Sequence, residues 1–486
     1  MRHGAELRRR LTQFYIGGKW LSPLSEVQVP FVDPATELGV GSIAMGSEAD
    51  VNRAVAAATA AFDSYAATPK ETRLALLRSL LVIYEERSEE MAQAISAEMG
   101  APITMARDAQ ADCGSGHLRG FIAALDAQPS REALPSGDVL LREPIGVCGL
   151  ITPWNWPINQ IALKVIPALA AGCTCVLKPS ELTPLSAALF TEMVHDAGFP
   201  PGVFNMVSGD GVTAGATLSK HADVAMMSFT GSTGAGVAVS IDAAPSVKRV
   251  TLELGGKSPN LVFADCGDAL AERVEASVAE CFYNTGQSCD APTRLLVERS
   301  CYDDVVTIAA RAAAAQTVGP PAEEGEHLGP LVSALQWERV QAMISAGIDE
   351  GARLVAGGLG RPDGVDKGYY AKPTVFADVD NTTMRVAREE IFGPVLVIIP
   401  FEDEAEAIAI ANDSPYGLAA YVQTGDPQRA ERVAARLRAG AVHINGAALE
   451  YGSPFGGYKL SGNGREGGIM GLEDYQEIKV LHGAVR

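Results

Sequence analysis

The chain is short of basic residues. Lys and Arg number 39 against 59 Asp and Glu, a formal net charge of −20. Such a surface repels phosphate backbones and anionic lipids, which argues against nucleic-acid and peripheral membrane roles. Paired cysteines are also missing. The eight, at 113, 148, 173, 175, 266, 281, 289 and 301, form no CxxC pair and have no zinc spacing. That pattern fits a reducing cytoplasm with most thiols acting as small core residues, and no metal site is expected. No apolar run suits a bilayer span, because the most apolar stretch, residues 158–177, is broken by Lys164, Pro167 and Gly172. The basic start MRHGAELRRR leads into no apolar segment of secretory type.

What remains is an enzyme-like mixture, 47% apolar and 20% charged over 486 residues, long enough for two or three domains. Residues 48–99 read as helix, with Leu74, Leu77, Leu81 and Tyr84 on one face. After residue 145 short apolar runs (145–151, 173–177, 224–229, 250–254) alternate with helical stretches, the pattern of parallel strands covered on both faces. A second series follows at 260–263, 295–297, 395–400, 418–422 and 441–444. The expected fold class is α/β, two doubly wound domains meeting near Gly255 and Gly256. Ligand is then expected in the crevice at the strands' carboxyl ends. Thr183 followed by Pro184 marks a helix start.

Four segments carry possible chemistry, each with a plainer alternative. FTGSTGAG (229–236) follows an apolar strand and opens a helix, so it is either a phosphate-binding turn or an ordinary Gly-rich turn; it is not GxGxxG. LELGGKS (252–258) is no P-loop, since Thr251 stands where Gly is needed. It leaves Glu253 in an apolar setting, as a general base of raised pKa or a solvated strand-end residue. TGQSCD (285–290) sets Cys289 after a small polar turn. Near a helix N-terminus it would be a thiolate nucleophile; otherwise it is a structural thiol. TPWNWP (152–157) offers the Asn155 amide to an oxyanion, or is a stiff packing turn. Glu192 and His195 suggest only a helix surface pair.

Together these segments resemble the aldehyde dehydrogenase superfamily. Along the chain stand PWNWP (153–157), KPSE (178–181), FTGST (229–233), LELGGKSP (252–259), GQSC (286–289), EEIFGPV (389–395) and PFGGYKLSGNGRE (454–466), in the order that family shows. The likeness begins near FYIGGKW (14–20) and covers nearly the whole chain.

The resemblance implies Cys289 as nucleophile, Glu253 as the base that activates water, and an oxyanion hole from Asn155 and the Cys289 N–H. Lys178, Ser180 and Glu181 would hold the adenosine ribose, Gly231 and Ser232 the pyrophosphate. Trp154 and Leu254 would lie at the nicotinamide end, with Glu390 and Phe392 on its ribose. Lys164 and Glu466 match a pair often assigned to proton exit.

Some positions depart from the family's pattern. Ser288 and Asp290 are not the commonest neighbours of the nucleophile, and Gly234 replaces a larger residue. The entrance loop GAALEYGS (446–453) matches no substrate subclass. Gln160, Asn159, Asp290 and Glu450 suggest a polar tunnel.

The implied activity is oxidation of an aldehyde to the acid with NAD, NADP being possible, in a cytoplasmic homodimer or homotetramer. The implied division is residues 1–122 and 144–255 for the dinucleotide, 256–458 for catalysis, and 123–143 with 472–486 as a small oligomerisation flap. Two other activities compete. A CoA-acylating relative would not need Glu253, and a cofactor-free Cys hydrolase would use a Glu–Lys–Cys set.

Overall fold

The computed structural model describes residues 7–483, so the outermost residues of the predicted first domain and flap, 1–6 and 484–486, lie outside it. Two large sheets form the body. The first runs in the order Gly462–Asn463, Arg249–Glu253, Met226–Thr230, Val147–Ile151, Thr174–Lys178, Phe204–Met206, Phe14–Ile16, Lys19–Leu21. Its five central strands are parallel and its edges antiparallel. The second runs Arg353–Ala356, Thr374–Ala377, Val395–Phe401, Arg294–Glu298, Pro259–Val262, Ala419–Gln423, Ala441–Ile444, parallel except at its first pair. Every strand expected from an apolar run is present within a residue or two.

The helical stretch at 48–99 is three helices, Glu48–Ala66, Lys70–Glu86 and Ser88–Met99. Pro69 causes the first break, since a residue preceding proline is disfavoured in helical conformation. The inward face of the second helix uses Leu74, Leu77, Leu80 and Tyr84. Leu80 replaces the expected Leu81, which is only half-buried.

Helix Pro157–Ala171 is buried at every position except Asn159. It is apolar all round because protein covers all its sides, as expected for a central helix. Lys164 sits in the middle of it, fully buried.

Thr183 is the N-cap residue ahead of Pro184, but its side chain does not cap the helix Pro184–Asp196. The Glu98 carboxylate does so instead, accepting from Leu185 N and from Ser186 N at 3.2 Å. Glu192 and His195 do not pair with each other. Glu192 bonds Arg10 and Arg87, and His195 bonds the Tyr15 hydroxyl.

A separate three-stranded sheet joins Arg131–Ala133, Val139–Pro144 and Gln476–Leu481. Short strands such as these carry too few apolar positions to stand out in sequence.

Candidate active site

The carboxyl ends of the first sheet's strands are in register, Thr230 beside Glu253 and Ile151 beside Lys178. Four of the motifs therefore leave the sheet along one edge, the place where open α/β sheets bind ligands. The second sheet departs from that expectation. It supplies Cys289 and Glu390 from loops that lead into Arg294–Glu298 and Val395–Phe401, at those strands' amino ends.

Close backbone approach joins the two halves. A Cβ on Gly256 would lie 2.2 Å from the Cys289 carbonyl oxygen, and one on Gly255 would strike the Glu390 carboxylate. Only glycine leaves room at both positions.

The turn before Cys289 is strained. Asn284 and Thr285, at φ 54° and 57°, occupy the left-handed region one after the other. Such conformations persist only where their surroundings hold them. Here Asn284 Nδ2 donates to Asn155 O (2.9 Å), Thr285 Oγ1 to Gly329 O (3.0 Å), and Val332 N to Gln287 Oε1 (3.0 Å). Asn155, 3% exposed, donates through Nδ2 to Gln287 O at 3.0 Å, and Trp156 Nε1 donates to Ser288 Oγ at 2.8 Å.

Gln110 completes this network and was not apparent from sequence. Its Nε2 donates to Asn155 O at 3.3 Å and to Asn284 Oδ1 at 3.2 Å. It lies on a π-helical segment, Ala106–Ala111, an irregularity often found at functional sites. A polar amide among alanines was the only trace it left in sequence.

No helix begins at Cys289; the short helical turn Tyr283–Gly286 precedes it. Its thiol is not activated by a helix dipole. Burial first, then the negative charges of Asp290, Glu390 and Glu253, push its pKa well up. The other seven cysteines are buried.

Glu253 is 4% exposed, and neither carboxylate oxygen has a hydrogen-bond partner. Burial, followed by the charge of Glu466, raises its pKa strongly. It is therefore a buried carboxyl, not a solvated strand end. Glu466 forms an ion pair with the buried Lys164.

The cofactor motifs lie around the same edge. Ser232 caps helix Thr233–Ala243 through Ala235 N, and a Cβ on Gly234 would meet nothing within 4 Å, so the helix start has open space before its free N–H groups. Gly236 lets the Leu254 side chain pack on that helix, where a Cβ would lie 2.6 Å from it. Lys178 Nζ donates to Pro179 O and Gly209 O, with Glu181 at 3.7 Å. Ser180 Oγ accepts from Leu182 N.

Trp154 and Phe392 meet edge to face at 5.3 Å, with Phe392 in the left-handed region at φ 58°. Glu390 Oε1 accepts from Gly256 N at 2.9 Å, and burial pushes its pKa up to about 7. The donors, the open helix start and the aromatic pair suit a dinucleotide laid along this edge.

A cavity of about 660 Å³ leads to Cys289, walled by Trp156, Asn159, Gln160, Tyr421 and the 446–451 loop. All four residues expected in a polar tunnel line it. Among the described residues, no group of three or more His, Cys, Asp or Glu is placed to hold a metal ion, and no helix is long and apolar enough to cross a membrane.

The aldehyde dehydrogenase family model matches residues 20–481. A curated relative from Pseudomonas sp., 3-succinoylsemialdehyde-pyridine dehydrogenase, is 52% identical over 98% of this chain and 99% of its own length. A mutant of aldehyde dehydrogenase C from Pseudomonas syringae, solved with NAD+ and octanal, superposes with a TM-score of 0.96 at 51% identity over 98% of each chain. The Mycobacterium tuberculosis aldehyde dehydrogenase bound to NAD+ gives 0.93 at 42% identity over 97% of each. The chain belongs to the aldehyde dehydrogenase family and is an NAD(P)-dependent oxidoreductase of aldehydes.

Proposed function

We propose that this enzyme oxidises aldehydes to free carboxylic acids with Cys289 as nucleophile and Glu253 as the deacylating base. The observation that carries the reading is the meeting of Cys289, Asn155 and Glu253 where the first sheet's carboxyl edge faces the second sheet. Cys289 sulfur bonds to the aldehyde carbon, and the carbonyl oxygen becomes an alkoxide. Asn155 Nδ2 and the Cys289 N–H stabilise that charge, a contribution of roughly 10²–10³ in rate per donor. NAD, when bound, accepts the hydride released from that carbon, leaving a thioester. Glu253 then takes a proton from water, hydroxide adds to the thioester, and the C–S bond breaks to give acid and thiolate. Lys164 and Glu466 carry the proton away from Glu253.

Ser232, Gly231 and the helix start after them hold the pyrophosphate. Lys178, Ser180 and Glu181 take the adenosine ribose, Glu390 and Phe392 the nicotinamide ribose, with Trp154 and Leu254 at the nicotinamide end. We assign residues up to 122 and 144–255 to dinucleotide binding, 256–458 to catalysis, and 123–143 with the C-terminal strand to subunit pairing. The exposed Ile478 and Val480 on Gln476–Leu481 support a homo-oligomer, and eight free cysteines support a cytoplasmic location.

The test is Cys289→Ala. It should abolish NADH formation while NAD binding, followed by quenching of protein fluorescence, stays within about twofold. Turnover at a comparable rate would overturn the assignment. The octanal complex and the pyridine-bearing substrate name of the two relatives support uncharged or weakly basic aldehydes over short anionic ones.

A further inference from the structure

The cavity that leads to Cys289 is walled by charge of one sign. Asp108, Glu272, Glu280, Asp290 and Glu450 line it, and Arg273 is the only lysine or arginine among its described lining residues. That guanidinium is already engaged, since its Nη1 donates to Thr424 O at 2.8 Å and to the Asn445 side chain. His117 adds no cation, because burial pushes its pKa down to about 4. The remaining basic side chain is the half-buried imidazole of His443, which faces Glu280 and Asp290 and stacks on Tyr421.

Glu280 and Asp290 have no ion-pair partner among the described residues, and burial raises the pKa of both. Asp290 is half-buried and Glu280 faces the cavity's solvent, and a partly withdrawn carboxylate without an ion pair is stabilised when a cation comes to it. A separate feature of the same wall makes the same demand. Gln160 is 5% exposed, lines the cavity, and has an amide oxygen with no hydrogen-bond partner. The wall thus offers more carboxylates and acceptors than the single guanidinium of Arg273 and the imidazole of His443 can match.

We propose that this cavity selects aldehydes by charge, favouring a cationic tail over an uncharged one and rejecting a tail that ends in a carboxylate, with Glu280 and Asp290 as the specificity-determining residues. The inference rests on the assignment of Cys289 as nucleophile and adds the substrate class to it. The discrimination is electrostatic, so it weakens as salt screens the field.

Three aldehydes of equal spacer length test it: 4-(trimethylammonio)butanal, its uncharged isostere 5,5-dimethylhexanal, and 5-oxopentanoate. NADH formation at low ionic strength should give a cation-to-anion ratio in kcat/KM of about tenfold or more, the scale expected from two unpaired carboxylates at short range. The ratio should shrink at 0.5 M salt, and Glu280→Gln should reduce it several-fold while Glu280→Lys reduces it further. Glu280 is exposed, so these substitutions leave core packing alone.

A ratio at or below one, or a ratio unmoved by both substitutions, would overturn the proposal. Failure to turn over any of the three, the uncharged one included, would overturn the Cys289 assignment and this inference with it. Oxidation of the uncharged aldehyde together with equal use of the anion would overturn the charge selection alone.

Discussion

Asn155 donates its side-chain N–H to the carbonyl of Gln287, two residues ahead of Cys289, at 3.0 Å. The group assigned to the developing alkoxide is thereby tied to the loop that carries the proposed nucleophile. Gln110 holds the other side of the same junction through Asn155 O and Asn284 Oδ1. Replacing it with Leu leaves Asn284 Oδ1 without a donor, at a cost of about 1–3 kcal/mol, while Asn155 O keeps its bond from Asn284 Nδ2. Gln110→Leu should therefore lower kcat by ten- to a hundredfold while KM for NAD stays within about twofold. Equal losses in kcat and NAD affinity would mark Gln110 as a general stability residue.

Glu253 and Cys289 both have pKa values raised by burial, and the proposed mechanism uses both in the deprotonated form. Activity should therefore rise with pH and fall on acidification. Glu253→Gln should retain a first-turnover burst of NADH, then show a steady state slower by about 10²–10⁴-fold. Its burst rate should still rise with pH, since Cys289 continues to titrate, while the slow phase loses most of its pH dependence. Stopped-flow absorbance at 340 nm across pH 6–10 checks both. Loss of the burst with Cys289 still open to alkylation would place Glu253 in thiol activation instead.

The proposed determinant of cofactor choice is Glu181, whose side chain is 38% exposed and 3.7 Å from Lys178 Nζ. A carboxylate there accepts from ribose hydroxyls and repels a 2′-phosphate, by on the order of 1 kcal/mol. Lys178 is a weak counterweight, because two backbone carbonyls already hold its Nζ. The enzyme should prefer NAD, and Glu181→Gln should raise kcat/KM for NADP and lower it for NAD. Wild-type enzyme working better with NADP would overturn this assignment.

Glu98 has its pKa pushed up to about 8 by burial, although it caps helix Pro184–Asp196. A folded-state pKa above the unfolded value gives stability that is full below about 4.5 and lost as pH rises through about 8. Glu98→Gln removes that titration. The Tm of the wild type relative to Glu98→Gln should fall steadily between pH 5 and 9. A constant difference would show that the carboxylate is ionised throughout.

Much of the architecture was legible from pattern alone. Fully buried parallel strands such as Thr174–Lys178 and Val395–Phe401 must be apolar on both faces, so they appear as short continuous runs. Motif residues that act through local geometry, such as Ser232 at its helix start, were visible for the same reason. Edge strands such as Gly462–Asn463 and Arg131–Ala133 were not, because two or three mostly exposed residues carry no period.

The sequence by itself determined the strand series, the identity of the nucleophile and base candidates, and the order of the motifs along the chain, since each depends on residue type and near neighbours. Only the tertiary structure decided the environment of those groups. Glu253 and Glu390 press on Cys289, Glu98 takes over the capping that Thr183 was expected to provide, and Gln110 reaches from a distant helix to lock Asn155. The reason is physical: burial and electrostatic fields are set by groups far apart in the chain, which come within contact distance only once both sheets have closed on the site.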